Sequence, residues 1–208
     1  MKTIKIIKTA CLLFLCLSNL AWATKSEQGK TLYQTCAACH GDKAQGNTAL
    51  NAPALAGQYQ WYLARQLNNF KSGLRGQHEQ DPLAKQMLPF VSQLSKTDIA
   101  ALSSYLSELT PQPSPVELKG DIKNGFRYYQ SKCGACHGDA GQGNPSFNAP
   151  KLSGLSGSYL KRQMNNFSQG IRGYDNSDKL GRQMALMARM TSGQELDDIL
   201  YFLSSQGK

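Results

Sequence analysis

The chain has 208 residues, six cysteines and a formal net charge of +9. Its Lys and Arg residues form no dense stripe, which argues against a nucleic-acid partner. Beyond the first 23 residues no hydrophobic run approaches membrane-spanning length.

Residues 1–23 read as a secretory signal. Lys2, Lys5 and Lys8 form a positive n-region, Ala10 to Leu17 is almost wholly apolar, and Ala21-Trp22-Ala23 is a small-x-small cleavage site. Cleavage after Ala23 removes Cys11 and Cys16. A lipid anchor on Cys16 is disfavoured by the bulky Leu15 before it. It also removes three lysines and no acids, so the charge falls from +9 to +6. The mature chain is expected in the periplasm, soluble or peripherally attached to the membrane.

Ser26 to Thr35 is expected to form a short helix leading into Cys36-Ala37-Ala38-Cys39-His40. C-x-x-C-H is the attachment motif of a c-type haem. Two cysteines form thioethers to the haem vinyl groups, and the adjoining histidine reaches the iron. The motif returns as Cys133-Gly134-Ala135-Cys136-His137, so the four mature cysteines all lie in such motifs. A zinc site or a thioredoxin-like pair would explain neither the trailing histidines nor the methionines described below.

An offset of 97 residues superimposes the two halves without gaps over their middle. It pairs Asn51-Ala52-Pro53 with Asn148-Ala149-Pro150, Arg65-Gln66 with Arg162-Gln163, and Arg75 with Arg172. Ahead of the cysteines the register slips by one, since Tyr33 precedes Cys36 more closely than Tyr129 precedes Cys133. The expected organisation is a first domain over 24–110, a Pro-rich linker over 111–116, and a second domain over 117–208. Each half has about 90 residues, few enough that a covalent cofactor matters to its core.

Tyr59 to Ser72 reads as a helix ended by Gly73, and Ser158 to Gln169 as its repeat, ended by Gly170. The last helix of each half opens on a capping pattern, Ser95-x-x-Asp98 and Ser192-x-x-Glu195. Apolar residues then follow at helical spacing. First and last helices should cross, giving an all-α fold whose loops hold the cofactor.

Met87 lies 47 residues after His40, and Met184 lies 47 after His137. A His/Met pair closes both axial positions of a haem iron. Met87 is the only methionine of the first mature half, and its rival His78 sits in a polar loop. In the second half the repeat register selects Met184 over Met187 and Met190, which are expected to pack near the haem or the last helix. Arg65, Arg162, Arg75, Arg172, Tyr62 and Tyr159 recur in both halves, either as propionate partners or as ordinary solvated and core residues. Trp61 has no counterpart and belongs either to one haem wall or to the domain interface.

With these motifs, the chain resembles the dihaem cytochrome c4 family, two class I cytochrome c domains in tandem. The resemblance implies two all-α domains related by pseudo-two-fold symmetry, two covalent haem c groups with edges facing, and electron carriage rather than catalysis. It implies axial ligation by His40, Met87, His137 and Met184, with the Pro53 and Pro150 carbonyls orienting the histidines. Redox partners are implied too: a donor such as a quinol–cytochrome c reductase and an acceptor such as a terminal oxidase. Two alternatives carry the same motifs: a cytochrome subunit of a dehydrogenase, for example a sulfide-oxidising flavoprotein, and a dihaem peroxidase.

Overall fold

A computed structural model describes residues 26–116 and 118–206; the expected signal sequence lies outside the described residues. In the first half, α1 spans 26–40, followed by α2 (Gln60–Lys71), α3 (Pro82–Lys85), α4 (Leu88–Ser92) and α5 (Lys96–Glu108). In the second half come α6 (Ile122–Tyr129), a π turn (Gln130–Gly134), α7 (Ala135–His137), a 3-10 turn (Pro145–Phe147), α8 (Gly157–Ser168), α9 (Lys179–Arg189) and α10 (Gly193–Ser205). Among the described residues, β pairing is confined to two isolated bridges, Asn47 with Ala52 and Asn144 with Ala149. The fold is all-α, as the sequence predicts.

The first and last helices of each half cross at a glycine. A Cβ on Gly29 would fall 2.4 Å from the Ala101 carbonyl oxygen, and one on Gly125 would fall 2.1 Å from that of Asp198. Without side chains there, α1 meets α5, and α6 meets α10, at backbone distance. The buried stripes Ile99, Leu102 and Leu106 on α5, and Leu196, Ile199, Leu200 and Leu203 on α10, then pack inward. Each such side chain stabilises the fold by about 1.5–3 kcal/mol.

The first helix is longer than expected: it runs through Cys36 and Cys39 to His40 rather than stopping before them. Its counterpart is interrupted by the π turn at 130–134, and this is where the one-residue slip of the repeat goes. A π turn admits one extra residue without breaking the helix. Tyr33 and Tyr129, three and four residues ahead of their first cysteines, end up equivalent: both are fully buried, and both donate a hydroxyl to the glycine after the histidine, Gly41 or Gly138.

The capping patterns diverge. Ser95 and Asp98 form a reciprocal capping box at the start of α5. Ser192 makes no side-chain cap: Gly193 after it takes a left-handed φ of 58°, and Glu195, which would complete the box, is drawn to Lys132 in an ion pair.

The methionine segments diverge as well. Pro82 and Pro89 divide the first into α3 and α4, with Met87 at the junction. Proline at 89 has no N–H to return to the Lys85 carbonyl. The repeat places Lys179 and Leu186 at those positions, and α9 runs unbroken through Met184.

Candidate haem sites

Spacing decides the geometry of each motif. Positions i, i+3 and i+4 share one face of a helix, so Cys36, Cys39 and His40 project together from α1. No disulfide joins the cysteines among the described residues; Cys39 is exposed and the other three are half-buried. Burial pushes the Cys36 thiol up, with Cys39 adding to it. Burial likewise takes Cys133 up to about 11, against the pull of Lys132. Both are neutral thiols near pH 7.

His40 and His137 are buried, 5% and 6% exposed. His40 Nδ1 lies 2.8 Å from the Pro53 carbonyl oxygen, and His137 Nδ1 lies 2.9 Å from that of Pro150. Burial lowers both imidazole pKa values, and the carbonyl contact offsets only part of that. A neutral ring that donates from Nδ1 keeps its lone pair on Nε2, the state a metal ligand requires. The two prolines are held by matching loops, in which Gly46 N–H donates to the His40 carbonyl and Gly143 N–H to that of His137.

In the second half Cys133, Cys136, His137 and Met184 line one cavity. Its remaining wall is largely apolar, including Leu155, Leu160, Phe167 and Leu200. Met187 lines it too. Met190 does not: it is 65% exposed, contrary to the expectation that it packs near the haem or the last helix. A further methionine that the sequence reading passes over, Met164 on α8, also lines the cavity. In the first half Met87 packs against Phe70, Ala84 and Val91. His78 lies in a loop, half-exposed, its ring 6.2 Å from that of Tyr174.

The recurring arginines knit the halves together, Arg172 buried and the other three half-buried. Arg65 Nη2 donates to the Asn148 carbonyl at 3.0 Å, and Arg162 Nη2 to the Asn51 carbonyl at 2.8 Å. Arg172 donates to Gln163 at 2.6 Å within its own half and to Gln66 at 2.7 Å across the interface. Arg75 repeats this, reaching Gln66 at 2.9 Å and, across the interface, Gln163 and the Tyr159 hydroxyl at 3.4 Å. Burial opposes ionisation of Tyr159, but the surrounding Arg75, Arg172 and Arg162 outweigh it and hold the phenol below its ordinary value. Trp61 stacks on Tyr59 and lies under the Arg65 guanidinium, on the interface side. Tyr62, Arg65 and Gln66 of the first half complete the cavity of the second.

These surroundings fit a haem. The cavity offers an apolar wall, two thiols and a neutral imidazole at one rim, and a thioether in the lining. At the interface Arg172 is buried, and among the described residues no carboxylate hydrogen-bonds to it and the buried Nε atoms of Arg65, Arg75 and Arg162 have no partner. Buried cations with unused donors suit a group that carries anionic propionates.

Comparison with known proteins agrees. The family described as Cytochrome c matches residues 26–110 and again 122–207. A cytochrome c4 of Azotobacter vinelandii is 31% identical over 81% of this chain and 83% of its own length. A protein of Stutzerimonas stutzeri named thiosulfate dehydrogenase electron acceptor is 32% identical over 83% of this chain and 79% of its own. The crystal structure of reduced cytochrome c4 from Pseudomonas stutzeri superposes with a TM-score of 0.71 at 26% identity, covering 86% of this chain and 97% of that one. The chain belongs to the cytochrome c family and, by its paired domains, to the dihaem cytochrome c4 group of electron carriers, with two covalently bound haem c groups.

Proposed function

We propose that this protein carries electrons in the periplasm between respiratory partners, from a quinol–cytochrome c reductase or similar donor toward a terminal oxidase. Cys36 and Cys39 hold the first haem by thioethers, and Cys133 and Cys136 hold the second. His40 and His137 are the proximal ligands; Met87 and Met184 take the sixth positions. The observation that carries this reading is the gathering of Cys133, Cys136, His137 and Met184 around one cavity, with His137 Nδ1 turned to Pro150. Residues 1–23 serve as the cleaved export signal.

Each haem iron supplies a one-electron ferric/ferrous couple. The protein's part is to hold ligation constant so that little reorganises during transfer. Pro53 and Pro150 fix the histidine rings, Tyr33 and Tyr129 pin the turn that follows each histidine, and the apolar wall excludes water. The arginine lattice keeps the two halves, and hence their haem edges, in one relation. With both axial positions filled, neither iron has a place for peroxide.

A second reading follows from the Stutzerimonas stutzeri relative: the donor is a periplasmic sulfur-compound dehydrogenase rather than a quinol–cytochrome c reductase. The test is to purify the exported protein, weigh it, and add carbon monoxide to its reduced form at neutral pH. A mass two haems above the chain from Thr24, with no carbon monoxide complex, supports the proposal; rapid binding at either haem would sink it. Reduction rates with thiosulfate dehydrogenase against quinol–cytochrome c reductase then separate the donors.

A further inference from the structure

The arginine contacts across the interface are nearly two-fold symmetric, and one departure from that symmetry falls beside a proposed axial ligand. Asp81 caps α3: its Oδ1 accepts the Ala84 N–H at 3.1 Å, and the Met87 N–H in turn donates to the Ala84 carbonyl at 3.0 Å. Its other oxygen, Oδ2, accepts from Nδ2 of Asn166 on α8 of the opposite half at 3.0 Å. Both residues are buried, 5% and 6% exposed. The repeat supplies the same residue types in the other direction, Asp178 and Asn69. Asp178 caps α9 through the Gly181 N–H at 2.9 Å, yet no hydrogen bond joins Asp178 to Asn69 among the described residues.

One methyl group accounts for the difference. Ala84 corresponds to Gly181, and a Cβ built on Gly181 would lie 2.1 Å from Asp178 Oδ2. The Asp178 carboxylate has folded over its own helix into space that a glycine leaves open. The Ala84 methyl denies Asp81 that position and turns its second oxygen outward, to Asn166.

We infer that Asn166 is a positioning residue for the first haem although it belongs to the second domain: through Asp81 it fixes the Met87 segment, whereas among the described residues no hydrogen bond from Asn69 ties Asp178 and the Met184 segment in the same way. This inference rests on Met87 being an axial ligand, as proposed above. The Met87 segment has particular use for an external support, because Pro89 interrupts its helix, whereas Met184 rides on the continuous α9.

The test is displacement of the axial methionines of the ferric holoprotein by imidazole, followed in the far-red methionine–iron band. Met87→Ala and Met184→Ala assign the two phases. Asn166→Leu removes the donor at similar volume, and Ala84→Gly gives Asp81 the room that Asp178 has. Both are expected to speed the Met87 phase about tenfold, as loss of a buried hydrogen bond to a charged group implies, and to shift the first haem's potential alone. Gly181→Ala is expected to slow the Met184 phase. Equal acceleration at both haems, or none at either, would overturn the inference; should Asn166→Leu fail to accumulate, Ala84→Gly decides. A wild-type protein without a far-red band would instead refute the axial assignment itself.

Discussion

The Tyr129 hydroxyl donates to the Gly138 carbonyl oxygen at 2.6 Å, linking the start of the π turn to the residue after His137. Tyr33 and Gly41 repeat the bond in the first half. Burial pushes both phenol pKa values up, so each stays a donor across the physiological range. Tyr129→Phe removes one of two donors to the Gly138 carbonyl, which keeps the Gly141 N–H at 3.3 Å, at a cost of about 0.5–1.5 kcal/mol. Denaturant unfolding of the holoprotein should show that loss, with a matching one for Tyr33→Phe.

The π turn makes a separate prediction. If its one added residue accounts for the register slip, deleting Ser131 should restore in the second half the tyrosine–cysteine spacing of the first. The variant is expected to mature with both haems and to keep the Tyr129–Gly138 bond. Failure to attach the second haem would mean the turn has a role beyond absorbing an insertion.

Arg172 ties Gln163, Gln66 and Tyr62 together at the interface. Replacing it with alanine takes the donor from the Tyr62 hydroxyl and leaves Gln66 and Gln163 with Arg75 alone, which should cost about 1–3 kcal/mol. The loss falls on the contact between halves and, through Gln163 and the Phe167 ring, on the second half itself. Calorimetry should show one cooperative transition in the wild type and two in Arg172→Ala. A single transition in both would place the coupling elsewhere.

The two capping patterns also differ in consequence. Ser95→Ala breaks a complete box and should cost about 1 kcal/mol, while Ser192→Ala removes no cap and should cost little. Hydrogen bonds from the Ser95 side chain and backbone hold the Asp98 carboxyl below its ordinary value. The stabilising form is therefore the ionised one. Its contribution is present above the unfolded carboxylate's pKa and is lost as pH falls through the lower, folded one. Acid titration of stability in Asp98→Asn should be flatter below about pH 4 than in the wild type.

What the sequence disclosed follows from which interactions are local. The C-x-x-C-H motifs, the prolines thirteen residues after each histidine and the helix-ending Gly73 and Gly170 act over short stretches, and they stand as read. The Ser192 pattern forms no box because Gly193 turns left-handed and Glu195 meets Lys132, 63 positions earlier and invisible to a local rule. Recurrence marks the arginines, yet their partners Gln66, Gln163 and Asn51 lie across an interface that no spacing encodes. Met164 escaped notice because its repeat partner is Leu67, so recurrence gave no signal. Gly29 and Gly125 were legible in principle: they keep the same 96-residue offset as the two tyrosines.

Electron carriage of the kind proposed requires iron held between imidazole and thioether in both halves. An optical redox titration of the purified holoprotein, read in the far-red band as well as the visible, tests it most directly. The prediction is two one-electron steps, a far-red band in the oxidised protein of the strength expected for two methionine-ligated haems, and half that band in Met87→Ala or Met184→Ala. One step accounting for a single haem, or a band that survives Met184→Ala unchanged, would contradict it.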